Sequence, residues 1–312
     1  MKIVFMGTPD FAVPSLEMLV SEGYEVVAAV TQPDKPKGRG NKLTAPPVKE
    51  FAIKNGIQVL QPAKIKTAEF VEQIRGLQPD LLITAAYGKI LSKELLEVPV
   101  LGCINVHGSL LPAYRGAAPI NWAVINGEEK TGITTMFTDV GLDTGDMLLK
   151  RELAIGPDMT VGELHDKMAV LGAQVLRETL LELKKGTLKR ISQDDSVSTY
   201  APMMNKELGL IDWSKKASEI HNLVRGTDPW PGAYTLLEGN RMRVWKTALT
   251  KESSDSCQEN GRILKVDDQG ILVKCSDENL LLLEVQFDSS RRMSVKEYIR
   301  GHEIKTGETL GR

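Results

Sequence analysis

The chain has 312 residues, 42% of them hydrophobic and 26% charged, with 39 Lys and Arg against 41 Asp and Glu. That is enough for two domains with self-sufficient cores. A formal charge of -2 excludes a protein that holds nucleic acid by bulk positive charge alone, though not one with a local basic patch, and only 5% aromatic residues make a base-stacking surface a poor first expectation.

Taken in chain order, residues 3–6 form a short apolar run of buried-strand type, ended by the turn Gly7-Thr8-Pro9-Asp10. Residues 11–21 carry helical spacing through Phe11, Leu16, Leu19 and Val20. Residues 24–31 are rich in Val and Ala, and the breaker-rich stretch 32–47 reads as a long loop. A helix is expected over 48–55, a strand over 58–60, a helix over 68–77, a strand over 80–86, a short helix over 92–97 and a strand over 103–106. Strands alternating with helices imply βαβ units and a Rossmann-like, mostly parallel α/β sheet. Residues 131–137 and 147–153 read as late strands open to antiparallel pairing. Residues 161–185 hold the longest helical period, through Leu164, Met168, Leu171, Val175, Leu176, Leu180 and Leu183, with Gly186 as its stop.

The pattern then changes. Residues 187–205 show no long period and are expected to be a linker. A short helix at 218–225 and five short strands, at 233–237, 241–248, 261–267, 270–275 and 280–287, suggest a small β-barrel of OB-like form. The expected organisation is a catalytic domain over 1–186, the linker, and a barrel domain over 206–312.

Cys103, Cys257 and Cys275 have no CxxC spacing, which argues against a disulfide framework or a structural zinc site. Cys103 lies inside a strand pattern and reads as core rather than nucleophile. No secretory signal is recognised and no apolar run reaches about 18 residues, so a cytoplasmic protein without a membrane span is expected. The first turn, Gly7-Thr8-Pro9-Asp10-Phe11, lacks the GxGxxG fingerprint, and no nicotinamide cofactor is expected.

Two loops carry candidate chemistry. Asn105 and His107 are two apart at a strand end, so both side chains can share one side. An amide donates hydrogen bonds and an imidazole exchanges protons near neutral pH, although such a pair also serves to cap a strand. The loop Asp139-Val140-Gly141-Leu142-Asp143-Thr144-Gly145-Asp146 offers a carboxylate that could orient a histidine, or simply an Asp/Gly turn. By themselves these features stop at an α/β enzyme with an Asn, His and Asp trio.

The run Asn-Val-His-Gly-Ser-Leu-Leu-Pro-Ala-Tyr-Arg-Gly-Ala-Ala-Pro-Ile at 105–120 resembles the signature of the folate-dependent formyltransferases, and residues 139–146 resemble their second active-site loop. Three further segments, Phe-Met-Gly-Thr-Pro-Asp-Phe-Ala at 5–12, Thr-Gln-Pro-Asp-Lys-Pro-Lys-Gly-Arg-Gly at 31–40 and Asp-Pro-Trp-Pro-Gly-Ala-Tyr at 228–234, narrow the resemblance to members acting on methionyl-tRNA. It implies formyl transfer from 10-formyltetrahydrofolate to the α-amino group of methionyl initiator tRNA, in support of translation initiation. It also implies a catalytic trio of Asn105, His107 and Asp143, with no metal needed. Ser109, Leu110, Leu111 and Pro112 resemble the folate-binding segment, while Lys35, Lys37, Arg39 and Lys42 would approach the acceptor stem of the tRNA. A monomer is expected. Formyltransferases acting on sugar nucleotides or purine precursors share the trio, so the basic loop and the second domain must discriminate. A non-catalytic RNA-binding protein on the same scaffold is disfavoured by the intact trio.

Overall fold

A computed structural model describes residues 1–37, 42–250 and 258–311. The chain divides into two compact units. One comprises Met1–Pro119, Lys130–Ala154 and His165–Pro202, and the other Ile120–Glu129, Ile155–Leu164 and Met203–Arg312.

The elements run β1 (Lys2–Gly7), α1 (Val13–Ser21), β2 (Glu25–Val30), β3 (Lys35–Lys37), β4 (Lys42–Thr44), α2 (Pro47–Lys54), β5 (Val59–Leu60), α3 (Ala68–Gly76), β6 (Leu81–Ala85), α4 (Lys93–Leu96), β7 (Cys103–His107), β8 (Arg115–Gly116), α5 (Pro119–Ile125), β9 (Lys130–Phe137), β10 (Met147–Ala154), α6 (Val161–Lys185) and β11 (Tyr200–Ala201). Seven strands form one sheet in the order β10-β9-β7-β6-β1-β2-β5. The pairings from β5 to β7 are parallel, while β9 runs antiparallel to both β7 and β10. The central strands read as unbroken apolar runs because both faces are covered: Ile3, Val4, Phe5, Met6, Leu81, Leu82, Ile83 and Ile104 are fully buried. α6 has the expected bounds. Leu164, Met168, Val175, Leu176 and Leu180 on its apolar stripe are fully buried, and Gly186 closes it at φ +68.

Three regions differ from the sequence expectation. Residues 120–129 and 155–164, expected within a first domain over 1–186, group with the second unit. The stretch 32–47 is not all loop, because β3 and β4 pair antiparallel in a short hairpin. The segment expected as a linker at 187–205 is hydrogen bonded into the first unit through residue 202. Ile191 bridges Met147, and β11 pairs in parallel with β8. These contacts are long-range, and periodicity carries no signal for them.

The second unit adds α7 (Ala217–Gly226), β12 (Ala233–Leu237), β13 (Asn240–Leu249), β14 (Ile263–Asp267), β15 (Gly270–Lys274), β16 (Asn279–Phe287), β17 (Met293–Ser294) and α8 (Val295–Tyr298). The strands form an antiparallel sheet, β12-β13-β16-β15-β14, with β17 on β16. β12 and β13 join through Glu238 (φ +50) and Gly239 (φ +73), the paired positive values of a tight hairpin turn that follows the strand twist. The C-terminal segment ties the sheet edges together. Leu310 N–H donates to Gly261 O, Glu308 O accepts from Ile263 N–H, and Gly311 N–H donates to Leu236 O. These bonds link the β12 and β14 ends of the sheet through the C-terminal segment. Trp213, Ile220, Val244, Ile271, Val273 and Leu282 lie within the core of this unit.

α7 carries a buried histidine. His221 Nδ1 lies 2.8 Å from Thr247 Oγ1, and Nε2 lies 3.1 Å from Pro157 O. Burial holds its pKa below the ordinary value, with the Pro157 carbonyl and Asp158 opposing and Arg225 reinforcing. Between the two values the unfolded chain binds more protons, so acid favours unfolding. Full stability is expected above about pH 6.5, falling as the pH drops below it. Denaturant titrations at several pH values check this: His221→Gln should be less stable than wild type at neutral pH and lose less on acidification.

Candidate active site

β7 and β6 pair in parallel with Thr84 opposite Asn105, so their carboxyl ends lie side by side. Functional groups collect at this edge of an open parallel sheet. Asn105 is half-buried there, and its Oδ1 accepts a 2.9 Å hydrogen bond from Thr84 Oγ1. That bond sets the amide orientation and leaves the nitrogen as the donor Asn105 can offer. His107 is 5% exposed, with Nε2 3.0 Å from the carbonyl oxygen of Tyr114.

The chain returns through β9, whose antiparallel pairing with β7 sets His107 opposite Thr134. The loop from β9 to β10 then brings Asp143 to the same place. Asp143 Oδ2 lies 3.7 Å from His107 Nδ1 and accepts a 2.9 Å bond from Gly116 N–H. The imidazole therefore has an acceptor near each nitrogen, and only its cation carries a proton on both. Asp143 adopts φ +53, an uncommon conformation for a residue with a side chain. Gly145 permits the close passage of this loop, since a Cβ there would lie 1.8 Å from Phe137 O. The three residues expected as a trio thus meet at one sheet edge.

The turn at 109–112 is held by buried hydrogen bonds. Ser109 is fully buried and its Oγ donates to Ala113 O at 2.6 Å. Leu111 packs with Met136 and Met147, leaving Leu110 and Pro112 partly accessible. Thr134 Oγ1 donates to Ser109 O at 2.7 Å and accepts from Leu111 N–H at 3.1 Å. Lys150 Nζ caps Leu111 O at 2.8 Å. At the same sheet edge, the loop following β6 and the entry to α3 frame an open surface depression of about 540 Å³ lined by Lys64, Ile65, Lys66, Thr67, Lys89 and Ile90, among others. Sequence reading missed this depression because its lysines come from two separate loops.

Of the basic loop, Lys35 is exposed on β3, Lys37 and Lys42 belong to β3 and β4, and Arg39 lies outside the described residues. At the end of α6, Lys184 Nζ sits 4.0 Å over the Tyr24 ring, and beyond it Arg190 pairs with Asp146 at 2.9 Å. Cys103 is a core residue, its thiol pushed up to about 12 by burial, which leaves it inert as a nucleophile at neutral pH. Among the described residues, no group of three or more His, Cys, Asp or Glu side chains could hold a metal ion, and no helix is long and apolar enough to cross a membrane.

A strand-borne amide, a buried imidazole with an acceptor near each nitrogen, and the Asp143 carboxylate lie at the carboxyl edge of one α/β sheet. The family model for formyl transferase matches residues 1–180, and that for its C-terminal domain matches residues 203–303. Methionyl-tRNA formyltransferase of Ruminiclostridium cellulolyticum is 69% identical over 312 residues, with 100% of each chain covered. The protein of the same name from Acetivibrio thermocellus is 64% identical over 311 residues, again covering 100% of each. The chain belongs to the methionyl-tRNA formyltransferase family. Solved structures share its fold at low identity. The sugar 3N-formyl transferase WlaRD aligns with a TM-score of 0.68 at 18% identity, covering 93% of this chain and 99% of its own. HypX from Aquifex aeolicus in complex with tetrahydrofolic acid aligns at 0.62 and 16%, covering 99% of this chain and 50% of its own.

Thr134 gives a direct test of how the turn is held. Thr134→Val keeps the shape but strips a donor from Ser109 O and an acceptor from Leu111 N–H in a fully buried position. Each orphaned group costs about 1–3 kcal/mol. A matching fall in denaturation free energy is expected, whereas Gly76→Ala, where an added Cβ meets nothing, should be near neutral or slightly stabilising.

Proposed function

We propose that the chain transfers a formyl group from 10-formyltetrahydrofolate to the α-amino group of methionyl initiator tRNA, supporting translation initiation in the cytoplasm. The observation that carries this reading is the identity running over the whole chain, both domains included, to relatives named for methionyl-tRNA.

The trio suits the reaction. A neutral amine attacks the formyl carbon, and negative charge develops on the formyl oxygen. Asn105 offers its amide N–H because Thr84 occupies its carbonyl oxygen. His107 supplies a second donor when its Nε2–H exchanges the Tyr114 carbonyl for the substrate oxygen. Donors held in place before the reaction stabilise such charge without reorganisation. Asp143 sets a negative charge beside the ring and keeps it oriented. Proton transfer from the attacking nitrogen to the folate leaving nitrogen runs through His107, Asp143 or water.

The donor's chemistry also fits. A reduced folate has a flat pterin at one end and glutamyl carboxylates at the other. Ser109, Leu110, Leu111 and Pro112 contribute chiefly through their hydrogen-bonded backbone and the Leu110 side chain, which suits the ring. Lys64, Lys66 and Lys89 around the depression suit the carboxylates.

For the tRNA, Lys35, Lys37, Arg39 and Lys42 form the contact in the first domain. In the second domain Tyr234, Arg241, Arg243 and Trp245 occupy outward positions on β12 and β13. The Arg241 guanidinium lies 3.8 Å over the Tyr234 ring, and that of Arg243 lies 6.0 Å from the Trp245 ring. Guanidinium groups beside aromatic rings suit a phosphate backbone and unpaired bases. Arg292 is committed to Asp228 and Glu284, so Arg241 and Arg243 are the better candidates.

Methionyl initiator tRNA, methionyl elongator tRNA and free methionine assayed side by side provide the test. Formylation of the first is expected, and activity confined to free methionine overturns the reading. His107→Asn should lower turnover by about 10²–10³; full activity refutes the mechanism. Arg39→Ala should raise KM for the tRNA far more than KM for the formyl donor, and equal losses refute the loop assignment.

A further inference from the structure

Asp143 does not hold its place unaided. Its backbone lies in the left-handed region, and its loop protrudes from the ends of β9 and β10. A segment outside every motif clamps that loop. Ile191 pairs with Met147, and Arg190 and Ser192 both bind the Asp146 carboxylate, at 2.9 and 3.1 Å. At the centre is Gln193. Its Nε2 donates to two backbone carbonyls, Asp143 O and Gly145 O, each at 2.8 Å. Its Oε1 accepts from Arg115 Nε at 3.0 Å, and Arg115 is itself buried and anchored by Asp195 at 2.7 Å.

This arrangement is directional. Arg115 can only donate, so it compels the amide oxygen to face it and the amide nitrogen to face the two carbonyls. One side chain therefore ties β8, which follows the His107 loop and whose Gly116 N–H binds the Asp143 carboxylate, to the backbone on which Asp143 sits.

We propose that Gln193 is a positioning residue for formyl transfer: by fixing the Asp143 and Gly145 carbonyls against Arg115, it sets where the Asp143 carboxylate stands relative to His107. This rests on the formyltransferase reading and extends it to a residue in the connecting segment. Gln193 acts through Asp143.

Gln193→Glu is the sharpest variant. It is nearly isosteric and strengthens the partnership with Arg115, yet it turns an acceptor toward two carbonyls and so removes the clamp. The test compares full-length wild type, Gln193→Glu, Gln193→Ala, Asp143→Asn and Asp143→Asn with Gln193→Glu. It measures kcat and both KM values with methionyl initiator tRNA and 10-formyltetrahydrofolate, and the melting temperature of each. For Gln193→Glu, kcat should fall by about tenfold or more with both KM values within about twofold, while a melting temperature well above that of the assay shows that the protein stays folded. In the Asp143→Asn background, Gln193→Glu should add less than about twofold, because the two act as one unit. Wild-type kcat in Gln193→Glu, a loss confined to KM, or losses that multiply in the double variant overturn the proposal. If Gln193→Ala fails to fold, Gln193→Glu decides alone. Failure of the formyltransferase reading is separate: wild type itself would then be inactive with methionyl-tRNA.

Discussion

Parallel pairing of β1, β6 and β7 is the constraint on which the first unit depends. Parallel neighbours cannot be joined by a tight turn, so each connection crosses a face of the sheet and covers it. That burial is why the central strands are solid apolar runs. It also places the ends of β6 and β7 side by side, so Asn105, His107 and the loop that follows Ala85 open on one edge. The antiparallel return of β9 then supplies Thr134 behind the turn and carries the chain on to Asp143. The site follows from strand direction before any side chain is considered.

Strand direction alone does not place a carboxylate to within a hydrogen-bond length. The loops at this edge are held by polar contacts from elsewhere: Thr84 orients the Asn105 amide, Thr134 and Lys150 hold the 109–112 turn, and Gln193 holds the Asp143 loop. Such bonds suit the task because they are directional, whereas apolar packing specifies volume. The first unit therefore combines a nonspecific apolar frame with a few directional bonds at its functional edge.

Much of the frame was legible in the sequence. The α6 period from Val161 to Lys185 predicts its bounds, and the Glu238-Gly239 and Gly270 turns punctuate the strands of the second unit where they fall. Periodicity works there because one face of each element is buried and the other is not. It fails for β3, β4, β8 and β11, which are two or three residues long and pair without an amphipathic face. It fails for 187–202 as well, where the segment is ordered by partners far away in sequence and carries little apolar content of its own.

The sequence by itself determined the chemical inventory. The Asn-x-His spacing and the Asp-rich loop with its two glycines are local facts, written in residue type and interval. Tertiary structure alone decided which groups face one another. It set Asp143 beside Nδ1 and the Tyr114 carbonyl beside Nε2, gathered three lysines from two loops around one depression, and recruited Gln193 from a stretch that looked like a connector. The physical reason is range. Propensity and periodicity act within a few residues, whereas a hydrogen bond between residues 50 apart exists only once the sheet has fixed both ends.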